Sequence, residues 1–158
     1  MLSTAGLSTA SLGEDPPEPP KGTVDINITG VLYTTNLAFY YFKATRDIDA
    51  NVAKDKRHLL LIGSLAGYGD HPLVGDYTAS KWAVRGLWKS IRGHSALLGG
   101  IRMNLLAPTW IDAGLGKDKV EQLRAQGIST GTVGDVVAAA MRCCCDETIE
   151  GIEVLFPS

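Results

Sequence analysis

Two short apolar runs, residues 59–63 and 101–107, flank a long amphipathic stretch, and this arrangement constrains the chain more than any other feature. Each run is nearly continuous in apolar residues rather than alternating, the pattern of a strand covered on both faces. Between them, from Asp76 to about Leu98, Tyr77, Lys81, Val84, Trp88 and Ile91 fall on one helical face, and the stretch stops at Gly99-Gly100. Asp76 is placed to cap it. Strand, helix and strand in this order predict a right-handed parallel crossover. A third run at 152–156 adds a last short strand, so the expected class is α/β.

The stretch from His58 to Lys81 runs from the first strand through a glycine-rich turn into the helix, and it carries three chemical groups: Ser64, Tyr77 and Lys81. Five Tyr and eight Lys give about 0.25 chance Tyr-x-x-x-Lys pairs in such a chain, so the pair alone is weak. Requiring a Ser at one fixed upstream distance, with nine Ser available, lowers the chance to roughly 0.01. The chemistry accounts for the residue types. A free phenol is a poor base at neutral pH, but an ammonium about 4 Å away at an effective dielectric near 20 favours its ionised form by ~4 kcal/mol. That is enough to bring a phenol into the range useful for proton transfer. The competing reading is an ordinary amphipathic helix with a surface lysine.

These residues resemble the active site of the short-chain dehydrogenase/reductase family, which has Tyr-x-Ala-Ser-Lys opening a helix, here Tyr77 to Lys81, and a Ser thirteen residues earlier, here Ser64. The resemblance implies a Rossmann-like, doubly wound parallel sheet with helices on both faces. It implies NAD or NADP as cofactor and interconversion of a secondary alcohol and a ketone. Tyr77 would then be the acid/base, Lys81 its electrostatic partner and a hold on the nicotinamide ribose, and Ser64 the group bonding the substrate oxygen. Asn27, in Asn27-Ile28-Thr29-Gly30, matches an Asn that distorts the corresponding helix in the family and completes a catalytic set of four. Ala5 and Gly6 are what remains of a cofactor-lining Asn-Asn-Ala-Gly. Pro108, Thr109 and Ile111 match a Pro-Gly-x-Ile segment that closes over the nicotinamide, with Thr109 replacing the Gly and Ala113 a Thr. Trp110 within it is a substrate roof or, by the commoner fate of loop aromatics, a plug at the core edge. Residues 114–128 stand where the family has its substrate lid.

The remaining segments are read from their own patterns. Residues 1–22 end in a proline-rich loop, and Thr23 to about Ala44 has helical periodicity. Residues 45–57 are charged and aperiodic, a surface loop. Arg85, Lys89 and Arg92 fall on the solvated side of the helix that holds Tyr77. Thr132-Val-Gly-Asp135 resembles a capping box opening a helix to about Cys145. Apolar and aromatic residues on several faces of the helices at 23–44 and 76–98, including Tyr40, Tyr41, Phe42, Leu87 and Trp88, point to a homo-oligomer, as does the family.

Composition narrows the classes further. A net charge of −2 gives no reason to invoke nucleic acid or an anionic membrane. No apolar run is long enough to span a bilayer, and the first residues lack a secretory pattern. Cys143, Cys144 and Cys145 are contiguous on an expected helix and cannot converge on one metal; packed, reduced thiols fit a cytoplasmic location. His58, His71 and His94 show no metal spacing. A serine hydrolase is excluded because Ile62 and Ala66 stand where a nucleophile elbow needs glycine. No glycine-rich phosphate turn follows a strand; Gly131 and Gly134 come nearest, between two expected helices. Residues 1–158 are therefore expected to form a single partial NAD(P)-binding domain, the catalytic half, truncated at its N-terminus, with residues 1–22 a loop and strand remnant. Alone, it is expected not to bind dinucleotide. The alternative is a non-catalytic remnant acting through its helices.

Overall fold

A computed structural model describes residues 21–48, 57–69, 74–94, 97–98, 100–113 and 117–156. The order is α1 (Gly22–Val24), a π-helical stretch (Asp25–Gly30), α2 (Val31–Ile48), β1 (His58–Ile62), a 3-10 turn (Leu65–Gly67), α3 (Gly75–Ile91), β2 (Arg102–Ala107), α4 (Lys117–Ala125), α5 (Val133–Cys145) and β3 (Glu153–Leu155). All three expected strands are present, within about a residue of their predicted ends. They form one parallel sheet in the order β1-β2-β3. The expected α/β architecture is therefore observed, and α3 is the crossover between β1 and β2.

Register divides the sheet into two chemically different faces. Leu59 pairs with Met103 and Leu61 with Leu105, so these four share one face. There Leu61 and Leu105 pack with Val84 and Trp88 of α3, and with Val31 of α2 at the margin. Full burial of such side chains contributes about 1.5–3 kcal/mol each, which fixes α3 against the sheet. The stripe foreseen at Val84 and Trp88 is thus the core; Trp88 is fully buried, its indole donating to the Met103 carbonyl at 3.5 Å, and so it does not supply the oligomer face expected of it.

His58, Arg102 and Asn104 lie on the opposite face by the same alternation. Arg102 and Asn104 are 4% and 0% exposed, in a run whose pattern reads as apolar. Their partners explain the burial. The Arg102 guanidinium donates to the carbonyls of Cys143, Asp146 and Ile149 at 3.0, 3.1 and 3.0 Å, and to that of Cys144 at 3.2 Å. It thus caps the C-terminal end of α5, where helical carbonyls lack partners and the helix dipole favours a cation. Asn104 donates to the Ile149 carbonyl and accepts from the Ile152 amide, both at 3.0 Å, and so fixes the turn that launches β3. Its amide also lies 3.0 Å from Nε2 of His58. Burial, and then the nearby Arg102 charge, lower the His58 pKa.

Several expectations are corrected. The second helix extends to Ile48, four residues into the expected loop, and Arg57 at that loop's end is buried, donating to the Phe42 carbonyl at 2.6 Å. Helix α3 ends at Ile91 rather than near Leu98, because Arg92 and Gly93 form a turn in which the His94 amide reaches the Ile91 carbonyl. Asp76 is not the N-cap: Val74 holds that place, and the Asp76 carboxylate accepts from the Tyr77 amide at 2.7 Å inside the first turn. Arg85 does not ride in solvent but turns inward to Glu153. Only Cys143 of the three free cysteines is packed; Cys144 and Cys145 are exposed. The capping box is as expected, with Thr132 and Asp135 bonding each other's backbone amides at the start of α5.

Candidate active site

The residues following β1 and β2 converge at the carboxyl ends of the strands, where ligands bind in sheets of this kind. They enclose a cleft of about 430 Å³. Ser64, Tyr77 and Lys81, from the turn after β1 and from α3, line it together with Pro108, Thr109 and Ile111 of the loop after β2, and Ile62 and Gly63 also line it. Six of the residues singled out from sequence are thus brought to one place. Ala5 and Gly6 lie outside the described residues. Asn27 is not among the residues lining the cleft.

Each wall has a local cause. Ser64 is the extended residue that caps the 3-10 turn: its hydroxyl accepts from the Ala66 amide at 3.1 Å, which leaves its own proton to donate. Gly67 lets that turn lie directly on α3, since a Cβ there would sit 2.9 Å from the Lys81 carbonyl oxygen. The turn's far end is also held. Tyr68 donates to Glu153 of β3 at 2.5 Å, Arg85 of α3 pairs with the same carboxylate at 3.2 Å, and the guanidinium lies 3.9 Å from the Tyr68 ring centroid. Burial and then the Glu153 carboxylate push the Tyr68 phenol up to about 12. Burial alone would raise the Glu153 carboxyl, but bonds from Arg85 and Tyr68 outweigh it and hold the carboxyl below its ordinary range. Tyr68 is therefore a protonated anchor.

Tyr77 and Lys81 stand one turn apart on α3, as their spacing requires. The Lys81 ammonium is 5.5 Å from the Tyr77 ring centroid, within reach of a cation–π attraction, and donates to the Ile62 carbonyl at 3.3 Å. Burial lowers the Lys81 pKa. With one N–H engaged, the ammonium keeps two more to offer within the cleft.

The opposing loop is pinned from behind. The Gly131 amide donates to the Trp110 carbonyl at 2.9 Å, and the Asp112 amide to the Gly131 carbonyl at 3.1 Å, closing a parallel bridge between Ile111 and Gly131. A Cβ on Gly131 would lie 2.7 Å from the terminal methyl of Ile111, so a larger residue there would make that side chain shift. Arg124 of α4 fastens the same base, pairing with Asp112 at 2.8 Å and bonding Thr130 at 2.9 Å. Trp110 is half-buried and walls the cleft, where sequence reasoning favoured a plug at the core edge.

Asn27 lies in the π-helical stretch and is joined to α3 instead of to the cleft. Its carboxamide donates to the Ser80 hydroxyl at 3.0 Å, and Ser80 donates to the Tyr77 carbonyl at 2.7 Å. Sequence reasoning missed Ser80 as anything beyond a motif letter, and missed the anchor formed by Tyr68, Arg85 and Glu153. The usable signal was a Ser on the buried side of an amphipathic helix, and a Glu opening an apolar strand.

With this geometry in hand, comparison with known proteins places the chain. The family model for short chain dehydrogenase matches residues 1–139, and the chain belongs to that family. Among its relatives, the NADP-dependent dehydrogenase M3 of Phoma sp. is 48% identical over 144 residues, covering 86% of this chain and 42% of that protein. The NADP-dependent dehydrogenase clz5 of Cochliobolus lunatus is 44% identical, covering 86% and 50%. The 5'-hydroxyaverantin dehydrogenase of Dothistroma septosporum is 35% identical, covering 89% and 47%. The chain thus spans about half the length of the curated relatives it matches. Among solved structures, a 4-hydroxyisoleucine dehydrogenase complexed with NADH superposes with a TM-score of 0.64 at 20% identity, over 85% of this chain and 56% of that one, which establishes the Rossmann-like dehydrogenase fold.

Proposed function

We propose that the protein carrying this chain interconverts a secondary alcohol and a ketone with a nicotinamide cofactor. The carrying observation is the single cleft in which Ser64, Tyr77 and Lys81 face Pro108, Thr109 and Ile111. Its donor set suits the nicotinamide end of a dinucleotide: two free ammonium N–H groups on Lys81 for the ribose hydroxyls, and the backbone and Thr109 hydroxyl of the opposing loop for the carboxamide. Such a cofactor, when bound, supplies or accepts the hydride. The chain's own residues do the rest. Ser64 donates a hydrogen bond to the substrate oxygen and keeps its proton, and Tyr77 gives that oxygen a proton in reduction or takes one in oxidation. Lys81 holds positive charge beside the phenol and favours its ionised form. Asn27 acts from behind α3. Relatives named as NADP-dependent favour NADP over NAD.

The test is Tyr77→Phe, which removes the transferable proton and keeps the ring. Turnover of a ketone panel with NADPH should fall about 10²–10⁴-fold with little change in NADPH KM. Near-normal turnover would remove Tyr77 from the mechanism. We also propose a homo-oligomer, supported by Tyr33, Leu37, Tyr40 and Tyr41 on α2 and Trp82 on α3, which are all about half or more exposed. A monomeric mass by light scattering at micromolar concentration would refute it.

A further inference from the structure

We infer that Ser80 is a positioning residue for Tyr77, and that the π-helical stretch at Asp25–Gly30 serves to deliver Asn27 to it. This rests on the proposed role of Tyr77. Ser80 is completely buried, in the first turns of α3, directly beside the cleft residues but not exposed to the cleft. A hydroxyl has one proton, and the two bonds assign it: Ser80 donates at 2.7 Å to the carbonyl of Tyr77 itself and accepts at 3.0 Å from Asn27. The link spans 53 residues of sequence and joins two different helices.

The need for such a link follows from where the apolar packing of α3 begins. Val84 and Trp88 fix the middle and end of the helix in the core, but Tyr77 lies in the first turn, whose cap residue Val74 makes no side-chain capping bond. Within that turn the Asp76 carboxylate takes the Tyr77 amide at 2.7 Å, a bond local to the helix that ties it to no other element. Ser80 places a buried hydrogen bond on the carbonyl of Tyr77, which itself lines the cleft. Its acceptance from Asn27 ties that turn to the helix behind it. Wide π turns are rare and concentrate at functional sites. Here the stretch holds the residue that reaches across to α3, and its neighbour segment, α2, continues as a regular helix. Ser80 touches no reacting atom, so its effect must pass through the placement of Tyr77.

The experiment is a double-mutant cycle with Ser80→Ala and Asn27→Leu in the protein that carries this chain, with Tyr77→Phe as reference. A displacement of the reacting group by a fraction of an ångström to 1 Å costs about 10- to 100-fold. Each single variant should therefore lose about tenfold or more in kcat while NADPH KM stays within about twofold. The solvent deuterium isotope effect on kcat should rise, since proton transfer becomes more limiting. The double variant should lose no more than either single one, because both break one chain. Additive losses, or a fall in thermal stability with kcat intact, would overturn the inference. If Ser80→Ala fails to fold, Asn27→Leu with wild-type Ser80 tests the same link from the other helix. A second readout does not need turnover: in carbon-13 tyrosine-labelled protein, the Tyr77 carbonyl and ring resonances should move in both variants, and an unmoved carbonyl would overturn it. Turnover unaffected by Tyr77→Phe would sink the catalytic reading while leaving these resonances to decide the link.

Discussion

Arg102→Met provides a sharp test of how this fold is held, because the perturbation and its magnitude can both be worked from distances. Four carbonyls at or beyond the end of α5 accept from one guanidinium at 3.0, 3.1, 3.0 and 3.2 Å. Charge-assisted bonds contribute about 1.5–3 kcal/mol each, so face-value addition gives about 6–12 kcal/mol. That overshoots. Cys144, Glu147 and Thr148 are exposed, so water can reach part of this end once the guanidinium is gone. Methionine fills the space, leaves no stranded charge and orphans only the carbonyls. A loss of about 3 kcal/mol is expected, the upper end of the cost of leaving buried acceptors without a donor. For a chain of this size that lowers the melting midpoint by roughly 6–12 °C. Arg102→Lys should recover only part, since an ammonium cannot fork to four carbonyls. The assay is urea unfolding followed by circular dichroism, comparing midpoints at equal slope. A loss under about 1 kcal/mol would show that water caps α5 as well as Arg102 does, and would refute the reasoning.

Lys81→Met should raise the melting midpoint by a few degrees while abolishing turnover, because the folded chain keeps this ammonium half-buried, and its pKa lowered by that burial, for the sake of the site; a lower midpoint measured by calorimetry would contradict this. For His58, the pKa is lowered below 6.5 by burial and then by Arg102, so the unfolded chain binds the extra proton first. Its contribution to stability is full above pH 6.5 and is lost as pH falls through the lowered folded value, where a second N–H donor would face the Asn104 amide. Urea midpoints compared at about pH 5 and pH 7 should show this dependence, and His58→Gln should flatten it; an unchanged slope in that variant would assign the acid sensitivity elsewhere.

The sheet and the site were legible in the sequence for different reasons. Continuous apolar runs mark the strands of a parallel sheet, so β1, β2 and β3 were visible from their runs, although only β2 is buried along its whole length and β1 and β3 stay partly exposed. Ser64, Tyr77 and Lys81 were visible because a fixed spacing across strand, turn and helix is improbable by chance. The cap on α5 was not legible, since Arg102 and Asn104 look like two polar interruptions of a strand until the carbonyls of residues 143–149 are seen above them. Helix ends were misread where the deciding bond is long-range or where glycine ends the run, as at Gly93. Arg85 was misassigned because its partner lies 68 residues away on β3. Periodicity records which face a residue takes, and it is silent about what waits there.

That silence matters most along α3, where chemistry and packing are arranged in sequence. Tyr77, Ser80 and Lys81 occupy the first turns, and Val84 and Trp88 the later ones, so one helical side passes from cleft to core within twelve residues. The apolar end contributes several kcal/mol and fixes the axis. The polar end has to be fixed by hydrogen bonds and close backbone contact: Ser80 on the Tyr77 carbonyl, Gly67 against Lys81, and Arg85 reaching Tyr68 and Glu153. These contacts come from a helix, a turn and a strand that are distant in sequence. The start of α3 therefore depends on contacts with β3 and with the turn after β1, which ties the placement of Tyr77 and Lys81 to the folding of those elements.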